Sequence, residues 1–376
     1  MKNYFIIFLF ALVLPCSSCQ DDESKEKIQE TPVQTNNPLI SQLDKDIHNH
    51  VRVYISTKKI IGLSIGVFKN GTFQQYGYGE TALGNGKIPG ENTVFEINSL
   101  SKAITSIMLT NTLLNEGFTI DEPASTFLPS SIPTLTENGQ EIVIRHLLNH
   151  TSGLPELPLN ISGGWSNMDA LEAYDSTDLY SYLENFNLPY TPGTQYAYSN
   201  TGFGLAGIIL ERMTDKSYEE NLIEQFCNPL GLSKTSIAIN EANDNAKGYN
   251  SVKNEIDYID KIDALKGSVA VRSTVKDLIT YGRINLDAGT SPLKEALKIC
   301  QAVSFDQPKV GLDWEYMMIN GNEVLMHIGG VASFNSAIYL CKSKNSVVVL
   351  LSNTDLGDDG GEFTAIVNGL ASLVIN

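Results

Sequence analysis

The chain has 376 residues, with 26 Lys and Arg against 43 Asp and Glu, and a formal net charge of −17 at pH 7. This acidity argues against nucleic acid as a partner, because sites for nucleic acids and anionic membranes need basic patches. The length allows one large or two interleaved domains with real hydrophobic cores. Nothing in the sequence indicates a cofactor or a metal site.

The N-terminal segment has the composition of an export signal. An apolar run over residues 4–14 is too short to span a bilayer but fits the hydrophobic part of a secretory signal. Two serines precede Cys19, a pattern that resembles a loose bacterial lipobox. Residues 1–19 are therefore predicted to be a signal peptide with Cys19 as the lipid attachment site, and residues 20–37 a disordered tether.

This interpretation predicts a cell-envelope lipoprotein, in the periplasm or at the outer membrane. The protein would contact the membrane only through its N-terminal lipid. Simple secretion without an anchor is the alternative. The oligomeric state cannot be read from the sequence.

Both ends of the remaining chain predict antiparallel strands covered by a helix. Apolar residues recur on one face over residues 40–55, with Asn37 as the expected N-cap of that helix. Two strand-like runs follow, joined by Asn70-Gly71, a strong hairpin signal. Three more strands and a terminal amphipathic helix are predicted at 323–328, 334–341, 345–352 and 363–374.

The middle of the chain has helical periodicities broken by Pro- and Gly-containing loops. The predicted fold is α+β, with an antiparallel sheet built from residues 38–97 and 265–376 and flanked by helices. A mainly helical domain, residues 98–264, is inserted between the first and the last strands. Three cysteines without close spacing, Cys227, Cys300 and Cys341, are interpreted as buried thiols.

Residues 99–116 predict a buried helix whose first turn carries Ser99 and Lys102. Apolar residues cover most of its circumference, Asn98 is the expected N-cap and Gly117 the stop. The free N–H groups and the macrodipole of a helix N-terminus stabilise negative charge. Lys102 can reach the hydroxyl from the next turn, and burial lowers the pKa of its amine towards that of a general base.

Ser-x-x-Lys is a common pattern, which also fits a first-turn serine beside a lysine that reaches solvent. Two later motifs support the chemical interpretation. Tyr198 and Asn200 lie on a polar loop before a helix, where a phenol can move a proton and a carboxamide can hold a substrate amide. His327 and Gly329 follow at the expected end of a strand.

In this order, the three motifs resemble the serine β-lactamase and penicillin-binding-protein superfamily. The likeness is closest to the branch of class C β-lactamases, D-alanyl-D-alanine carboxypeptidases, D-aminopeptidases and related esterases. It covers residues 38–376 and includes the flanking segments VFEINSLSKAIT, IRHLLNHTSGLP, PGTQYAYSNTGFGLAG and HIGGVASFNSAIYL. The resemblance implies a serine hydrolase of the β-lactamase/transpeptidase-like fold.

The resemblance also implies four catalytic residues. Ser99 would form an acyl-enzyme with an amide or ester carbonyl, and Lys102 would act as the base. Tyr198 would pass a proton towards the leaving group. His327 stands where class C β-lactamases carry Lys, which favours peptidase or esterase activity over the hydrolysis of β-lactams.

By the same resemblance, Asn200, Gly329 and Gly330 would bind the substrate, a small molecule or a peptide. The backbone N–H groups of Ser99 and Gly330 would form an oxyanion hole. If His327 contacts the Tyr198 loop or a substrate carboxylate, turnover should change near neutral pH. Two alternatives stay open: a class C-like β-lactamase, and a non-catalytic surface-tethered binding protein on this scaffold.

Two rival motifs carry less weight. Ser64 lies in a G-x-S-x-G pattern, but the nucleophile elbow of α/β-hydrolases needs a strand, a sharp turn and a helix, whereas here a further strand follows. His146 and His150 are four residues apart but lack the glutamate of the zinc-protease motif. Neither motif predicts the active site.

Overall fold

An eight-stranded antiparallel sheet organises the residues that the computed structural model describes: 33–57, 59–258, 262–331, 333–356 and 361–376. In chain order the strands are Gly62–Lys69 (β1), Thr72–Gly79 (β2), Phe95–Glu96 (β3), Thr136–Glu137 (β4), Gln140–Glu141 (β5), Gly248–Tyr249 (β6), Glu255–Ile256 (β7), Arg272–Ser273 (β8), Phe305–Asp306 (β9), Lys309–Val310 (β10), Glu315–Ile319 (β11), Asn322–Val331 (β12), Phe334–Cys341 (β13) and Ser346–Ser352 (β14). The order in the sheet is β2-β1-β14-β13-β12-β11-β10-β9, so the last strand lies beside the first.

The helices come before, between and after these strands. In chain order they are Gln42–Ser56 (α1), Ser101–Asn115 (α2), Ile144–Leu148 (α3), Met168–Glu172 (α4), Ser176–Glu184 (α5), Asn200–Thr214 (α6), Tyr218–Asn221 (α7), Asn228–Leu230 (α8), Lys266–Val269 (α9), Val275–Leu286 (α10), Lys294–Gln301 (α11) and Gly361–Val374 (α12). The predicted α+β fold, with a sheet from both ends of the chain and flanking helices, is confirmed. The division into a separate helical domain stays a prediction.

The predicted hairpin joins β1 to β2. Asn70 and Gly71 both have positive φ, at 53° and 79°, which are values that Asn and Gly tolerate best. Lys69 pairs with Thr72 across the turn. A two-residue loop of this kind matches the right-handed twist of the two strands, so the sequence signal predicts the turn correctly.

The sheet buries both of its faces. On one face, side chains of β14 such as Val348 and Leu350 pack with Ile47 of α1 and Leu370 of α12. On the other face, neighbours such as Val349 belong to the larger core that also contains α2, α6 and α10. Successive residues of a strand point to opposite faces, which explains why these strands are apolar throughout rather than alternating.

The first helix begins later than the sequence pattern predicts. Its N-cap is Ser41, whose hydroxyl accepts from the Asp44 N–H, while the Asp44 carboxylate accepts from the Ser41 N–H. Ile40, expected on the buried face, is therefore outside the helix and 79% exposed. Asn37 does not cap the helix but donates to the Tyr78 hydroxyl of β2.

The end of the predicted tether also lies against β2. Thr35 forms an isolated bridge with Tyr78, and Gly79 N–H donates to the carbonyl of Gln34. Residues 33–37 thus add edge contacts to the sheet. The predicted signal peptide and the predicted lipid attachment at Cys19 lie outside the described residues.

Two smaller predictions concern cysteines and membrane spans. Cys227, Cys300 and Cys341 are free and buried, which confirms the interpretation as buried thiols. Within the described ranges, no helix combines the length and the apolar character needed to cross a bilayer.

Candidate active site

The candidate nucleophile, Ser99, lies at the start of α2. Residues 98–100 form a 3₁₀ turn that runs directly into the helix at Ser101. Asn98 is not the N-cap that the sequence suggested, because its φ is +49° and its amide donates to the carbonyl of Phe334 in β13. The side chain of Asn98 thereby ties the nucleophile segment to the sheet.

Lys102 lies one turn after Ser99 and is completely buried. Its Nζ is 3.1 Å from Ser99 Oγ and donates to the carbonyl of Ser268 at 2.9 Å. The ring of Tyr198 lies below it, with the centroid 4.8 Å from Nζ. Burial lowers the pKa of Lys102 to about 7, although the charges of Asp313 and Glu156 act in the opposite direction. Much of the amine is therefore neutral at pH 7 and able to accept a proton.

Tyr198 places its hydroxyl within hydrogen-bond distance of the same oxygen, 2.8 Å from Ser99 Oγ. Burial raises the pKa of Tyr198 well above its ordinary value, and the charge of Asp313 adds to this effect. The phenol therefore stays protonated and donates to Ser99 Oγ. The Ser99 O–H is then free to donate to the neutral amine of Lys102.

Strand β12 approaches the nucleophile so closely that one position must be glycine. A Cβ on Gly329 would lie 2.6 Å from the carbonyl oxygen of Ile97 and 2.8 Å from the backbone nitrogen of Ser99. The hydroxyl of Ser336, paired with Gly329 across the sheet, donates to the same Ile97 carbonyl at 2.6 Å. The strand does not end at His327 but continues to Val331, which brings Gly330 to the edge of the site.

His327 is buried and faces an aspartate rather than the phenol. Its Nε2 lies 2.7 Å from Asp313 Oδ2, and Asp313 Oδ1 lies 3.1 Å from Nε2 of His150. The His150 ring packs on the Tyr198 ring with centroids 4.4 Å apart. His327 thus reaches the Tyr198 region indirectly, through Asp313 and His150.

The charge state of this buried group follows from its contacts. Burial opposes ionisation of Asp313, but His327 and His150 outweigh it and hold the pKa of the Asp313 carboxyl below its ordinary value. His150 Nδ1 accepts from the Ser199 N–H, so its proton lies on Nε2 and is donated to Asp313. Burial lowers the pKa of His150, which keeps this imidazole neutral.

A cleft of about 490 Å³ opens beside these groups. Its lining comprises Ser99, Glu156, Trp165, Ser166, Tyr198, Asn200, Ile328, Gly330 and Val331. Asn200 is the first residue of α6, after Ser199 as N-cap, and its Oδ1 is buried without a hydrogen-bond partner. Trp165 donates its indole N–H to Oε1 of Glu156 at 3.2 Å.

The predicted site residues therefore come together in large part. Ser99, Tyr198, Asn200 and Gly330 line one cleft, and Lys102 lies directly behind Ser99. Gly329 lies against the nucleophile segment, whereas His327 is not part of the cleft lining and contacts Asp313. The geometric condition for a shared site is met, while the catalytic role of each residue stays a prediction.

Three contributors were not predicted from the sequence. His150 lies within a segment that resembles the family, and Asp313 and Glu156 carried no motif. The left-handed φ of +70° at Asp313 is unusual for a residue other than glycine. No local pattern gives this conformation or the contact of Asp313 with His150, which is 163 residues away in the chain.

The rival motifs have structural explanations. Ser64 lies inside β1, buried, and donates to the carbonyl of Gly90 at 3.1 Å. His146 accepts from the Val143 N–H in the first turn of α3, away from His150. Among the described residues, no group of three or more His, Cys, Asp or Glu side chains could hold a metal ion.

A serine between a buried amine and a phenol, on this α+β fold, defines a serine hydrolase. The family model described as Beta-lactamase matches residues 40–371, and the chain therefore belongs to the Beta-lactamase family. This confirms the resemblance noted in the sequence.

Two relatives and two solved structures show the range of that family. A β-lactamase of Pseudomonas fluorescens is 28% identical over 278 residues, 72% of this chain and 73% of the relative. The D-alanyl-D-alanine-carboxypeptidase/endopeptidase AmpH of Escherichia coli is 28% identical over 286 residues, 71% and 73% of the two chains. A class C β-lactamase structure has a TM-score of 0.75 at 21% identity, covering 88% of this chain and 96% of its own. A β-lactamase/D-alanine carboxypeptidase of Pseudomonas syringae has a TM-score of 0.75 at 22% identity, covering 89% and 99%.

Proposed function

We propose that this serine hydrolase cleaves an amide or ester by way of an acyl-enzyme on Ser99, in the manner of a D,D-carboxypeptidase, D-aminopeptidase or esterase. The observation that carries the proposal is the position of Ser99 Oγ, 3.1 Å from Lys102 Nζ and 2.8 Å from the Tyr198 hydroxyl, at the wall of an open cleft. A nucleophile, a base and a proton donor within hydrogen-bond reach of one another are the parts that acyl transfer needs.

In the acylation step, Ser99 Oγ attacks the substrate carbonyl carbon as its proton moves to the neutral amine of Lys102. The bond to the leaving group then breaks, and Tyr198 supplies the proton that the leaving group takes. The ammonium of Lys102 returns a proton to the phenolate, so both side chains regain their starting states. The low pKa of Lys102 and the high pKa of Tyr198 support this division of roles.

The carbonyl oxygen becomes negatively charged during the attack and needs hydrogen-bond donors. The backbone N–H groups of Ser99 and Gly330 are the proposed oxyanion hole, supported by the close approach of Gly329 to Ser99. Removing one such donor typically costs about 10²–10³-fold in kcat. Asn200, with its side chain at the cleft, is the proposed partner of a substrate amide.

In the second half of the reaction, water replaces the leaving group at the acyl carbon. Lys102 and Tyr198 are in place to take a proton from that water and return it to Ser99 Oγ. Because the cleft is open, water can approach the acyl-enzyme without a movement of the chain.

We also propose that the protein is an exported lipoprotein of the cell envelope, held at Cys19. The apolar run followed by two serines and a cysteine supports this placement. In cells fed an alkyne-labelled fatty acid, Cys19→Ala should lose the label, whereas Cys16→Ala should keep it. Equal labelling of both variants would contradict the anchor.

The test of the catalytic proposal is covalent labelling by a fluorophosphonate. The wild-type protein should be labelled at Ser99, and Ser99→Ala should not be labelled. Ser166→Ala, which removes another serine of the same cleft, should be labelled like wild type. Wild-type protein that resists the probe at every pH would support a non-catalytic binding protein instead.

A further inference from the structure

Two polar side chains of the cleft wall, Glu156 and Asn200, offer acceptor atoms to a ligand. Glu156 carries a carboxylate at the cleft wall, and one of its oxygens already accepts from Trp165. Asn200 Oδ1 is buried with no hydrogen-bond partner. Acceptors of this kind are satisfied by N–H groups, and most strongly by charged ones.

Within the described part of the chain, no Lys, Arg or His side chain forms an ion pair or a hydrogen bond with these acceptors. None of the residues lining the cleft is Lys, Arg or His, and Glu156 has no ion-pair partner among the described residues. Lys102 is directed to Ser99 and to the carbonyl of Ser268, and His327 to Asp313. These two basic side chains are therefore engaged within the protein and are unavailable to a substrate carboxylate.

We propose that Glu156 selects substrates that carry a protonated amine near the scissile carbonyl, in preference to neutral or carboxylate-bearing ones. This proposal rests on the acyl-enzyme function and names its substrate class. The ammonium would lie between the Glu156 carboxylate and Asn200 Oδ1, beside the Trp165 ring. Each of these groups favours a cation, the ring through its π face.

A carboxylate-bearing substrate meets the opposite situation. It would place a second negative charge beside Glu156 without a lysine or arginine to compensate, and like charges brought together in a cleft disfavour binding. The formal net charge of −17 also repels anions during the approach and attracts cations.

The side chain of Glu156 can be replaced without loss of the backbone hydrogen bonds at this position. Its backbone carbonyl accepts from the N–H groups of Asn200 and Thr201 at the start of α6, and a change of side chain leaves these bonds in place. In Glu156→Gln the amide oxygen can still accept from Trp165. The variant therefore removes the charge and leaves these hydrogen bonds in place.

One side effect must be separated from recognition. The charge of Glu156 raises the pKa of Lys102, so its removal changes the reactivity of Ser99 towards every substrate. A ratio between two substrates cancels this effect, because both depend on the same nucleophile. The informative quantity is the ratio of kcat/KM for a substrate with a free amine to that for its acetylated counterpart.

The experiment compares the p-nitroanilides of D- and L-alanine, each with a free and with an acetylated amine, at pH 6.5–7. For at least one enantiomer, wild type should prefer the free amine by about tenfold or more, the size expected for one charged contact. Glu156→Gln should reduce this ratio to near one. Glu184→Gln, an exposed glutamate outside the cleft lining, should keep the wild-type ratio.

Fluorophosphonate labelling of the same preparations separates the two proposals. If wild type is not labelled at Ser99, the acyl-enzyme function itself fails. If wild type is labelled but prefers the acetylated anilides, shows no preference, does not turn over the free amines, or keeps its ratio in Glu156→Gln, only the amine proposal fails.

Discussion

Replacing Lys102 by methionine should make the folded protein more stable at neutral pH while it removes reactivity. In the folded state the amine is completely buried, and its pKa falls from 10.5 to about 7. In the unfolded chain the same amine is hydrated and fully protonated at neutral pH. Folding must therefore either bury a charge or release a proton, and both cost free energy.

The size of the effect follows from the two pKa values. A fall from 10.5 to about 7 corresponds to about 5 kcal/mol of destabilisation wherever both states are protonated. Methionine has a similar length and no charge, but it leaves the Ser268 carbonyl without its donor, which costs about 1 kcal/mol or slightly more. The net gain expected for Lys102→Met is about 4 kcal/mol below pH 7.

The pH dependence gives the sign of the effect. Because the folded pKa is depressed, the penalty is present in full below about pH 7, decreases between pH 7 and 10.5, and vanishes above. The stability advantage of Lys102→Met should decrease over that same window. Urea unfolding at pH 6, 8 and 10 measures it, with exposed Lys344→Met as the control, expected within about 0.5 kcal/mol of wild type.

A Lys102→Met variant less stable than wild type at pH 6 would refute this reasoning. An advantage that stays constant up to pH 10 would also refute it, because the gain would then come from packing rather than from the amine. Reactivity gives an independent measurement: the rate of fluorophosphonate labelling should fall by about 10²–10⁴-fold, the usual contribution of a general base.

Three further predictions concern the same site. For a neutral ester, kcat/KM should rise about tenfold per pH unit up to about pH 7 and then level off, because only the neutral amine of Lys102 can take the Ser99 proton; a flat pH profile would contradict this role. Asp313→Asn should move that rise to lower pH, because the Asp313 charge raises the pKa of Lys102. His327→Ala should also alter the pH profile, because His327 contacts Asp313. Profiles identical to wild type would exclude an effect of Asp313 and His327 on Lys102. Gly329→Ala should lower the rate of Ser99 labelling at least about 100-fold, because its Cβ would lie 2.8 Å from the Ser99 nitrogen, whereas Gly90→Ala has room and should react normally.

The parts of the fold that local patterns determine were predicted well. The β1–β2 hairpin, strands β12 to β14 and helices α2 and α12 each have a period or a turn signal within a few residues. Strands β9 and β10, of two residues each, are too short to show a period. Strand β10 pairs with the edge of the longer β11, and β9 pairs in turn with β10, so both depend on a strand formed elsewhere in the sequence.

Two errors at helix starts have a common cause. At α1 the Asn37-Pro38 pair suggested a start, although Ser41 and Asp44 have the spacing of a capping box. At Asn98 a side chain suited to capping bonds instead to a strand far away in sequence. In both cases an asparagine that could cap a helix forms a hydrogen bond with the sheet instead. A pattern of neighbouring residues cannot reveal such a long-range contact.

The candidate site shows the same limit. The sequence identifies Ser99, Lys102 and Tyr198 as site residues, because each belongs to a motif of only a few consecutive residues. The contacts of Asp313 with His150 and His327 depend on how β12 lies against the helices. For that reason the sequence suggests that His327 reaches the Tyr198 loop, but does not reveal the aspartate and histidine that connect them.

The close approach of β12 to the start of α2 affects when the active site can form during protein synthesis. The serine is synthesised early, whereas the strand that holds its backbone in place comes from near the C-terminus. We expect a nascent chain to be chemically inert, because the amine is not yet enclosed and the proposed oxyanion donors are not yet aligned. The enzyme would then become active only after the whole chain has been synthesised and has folded, so hydrolysis would not begin on the ribosome.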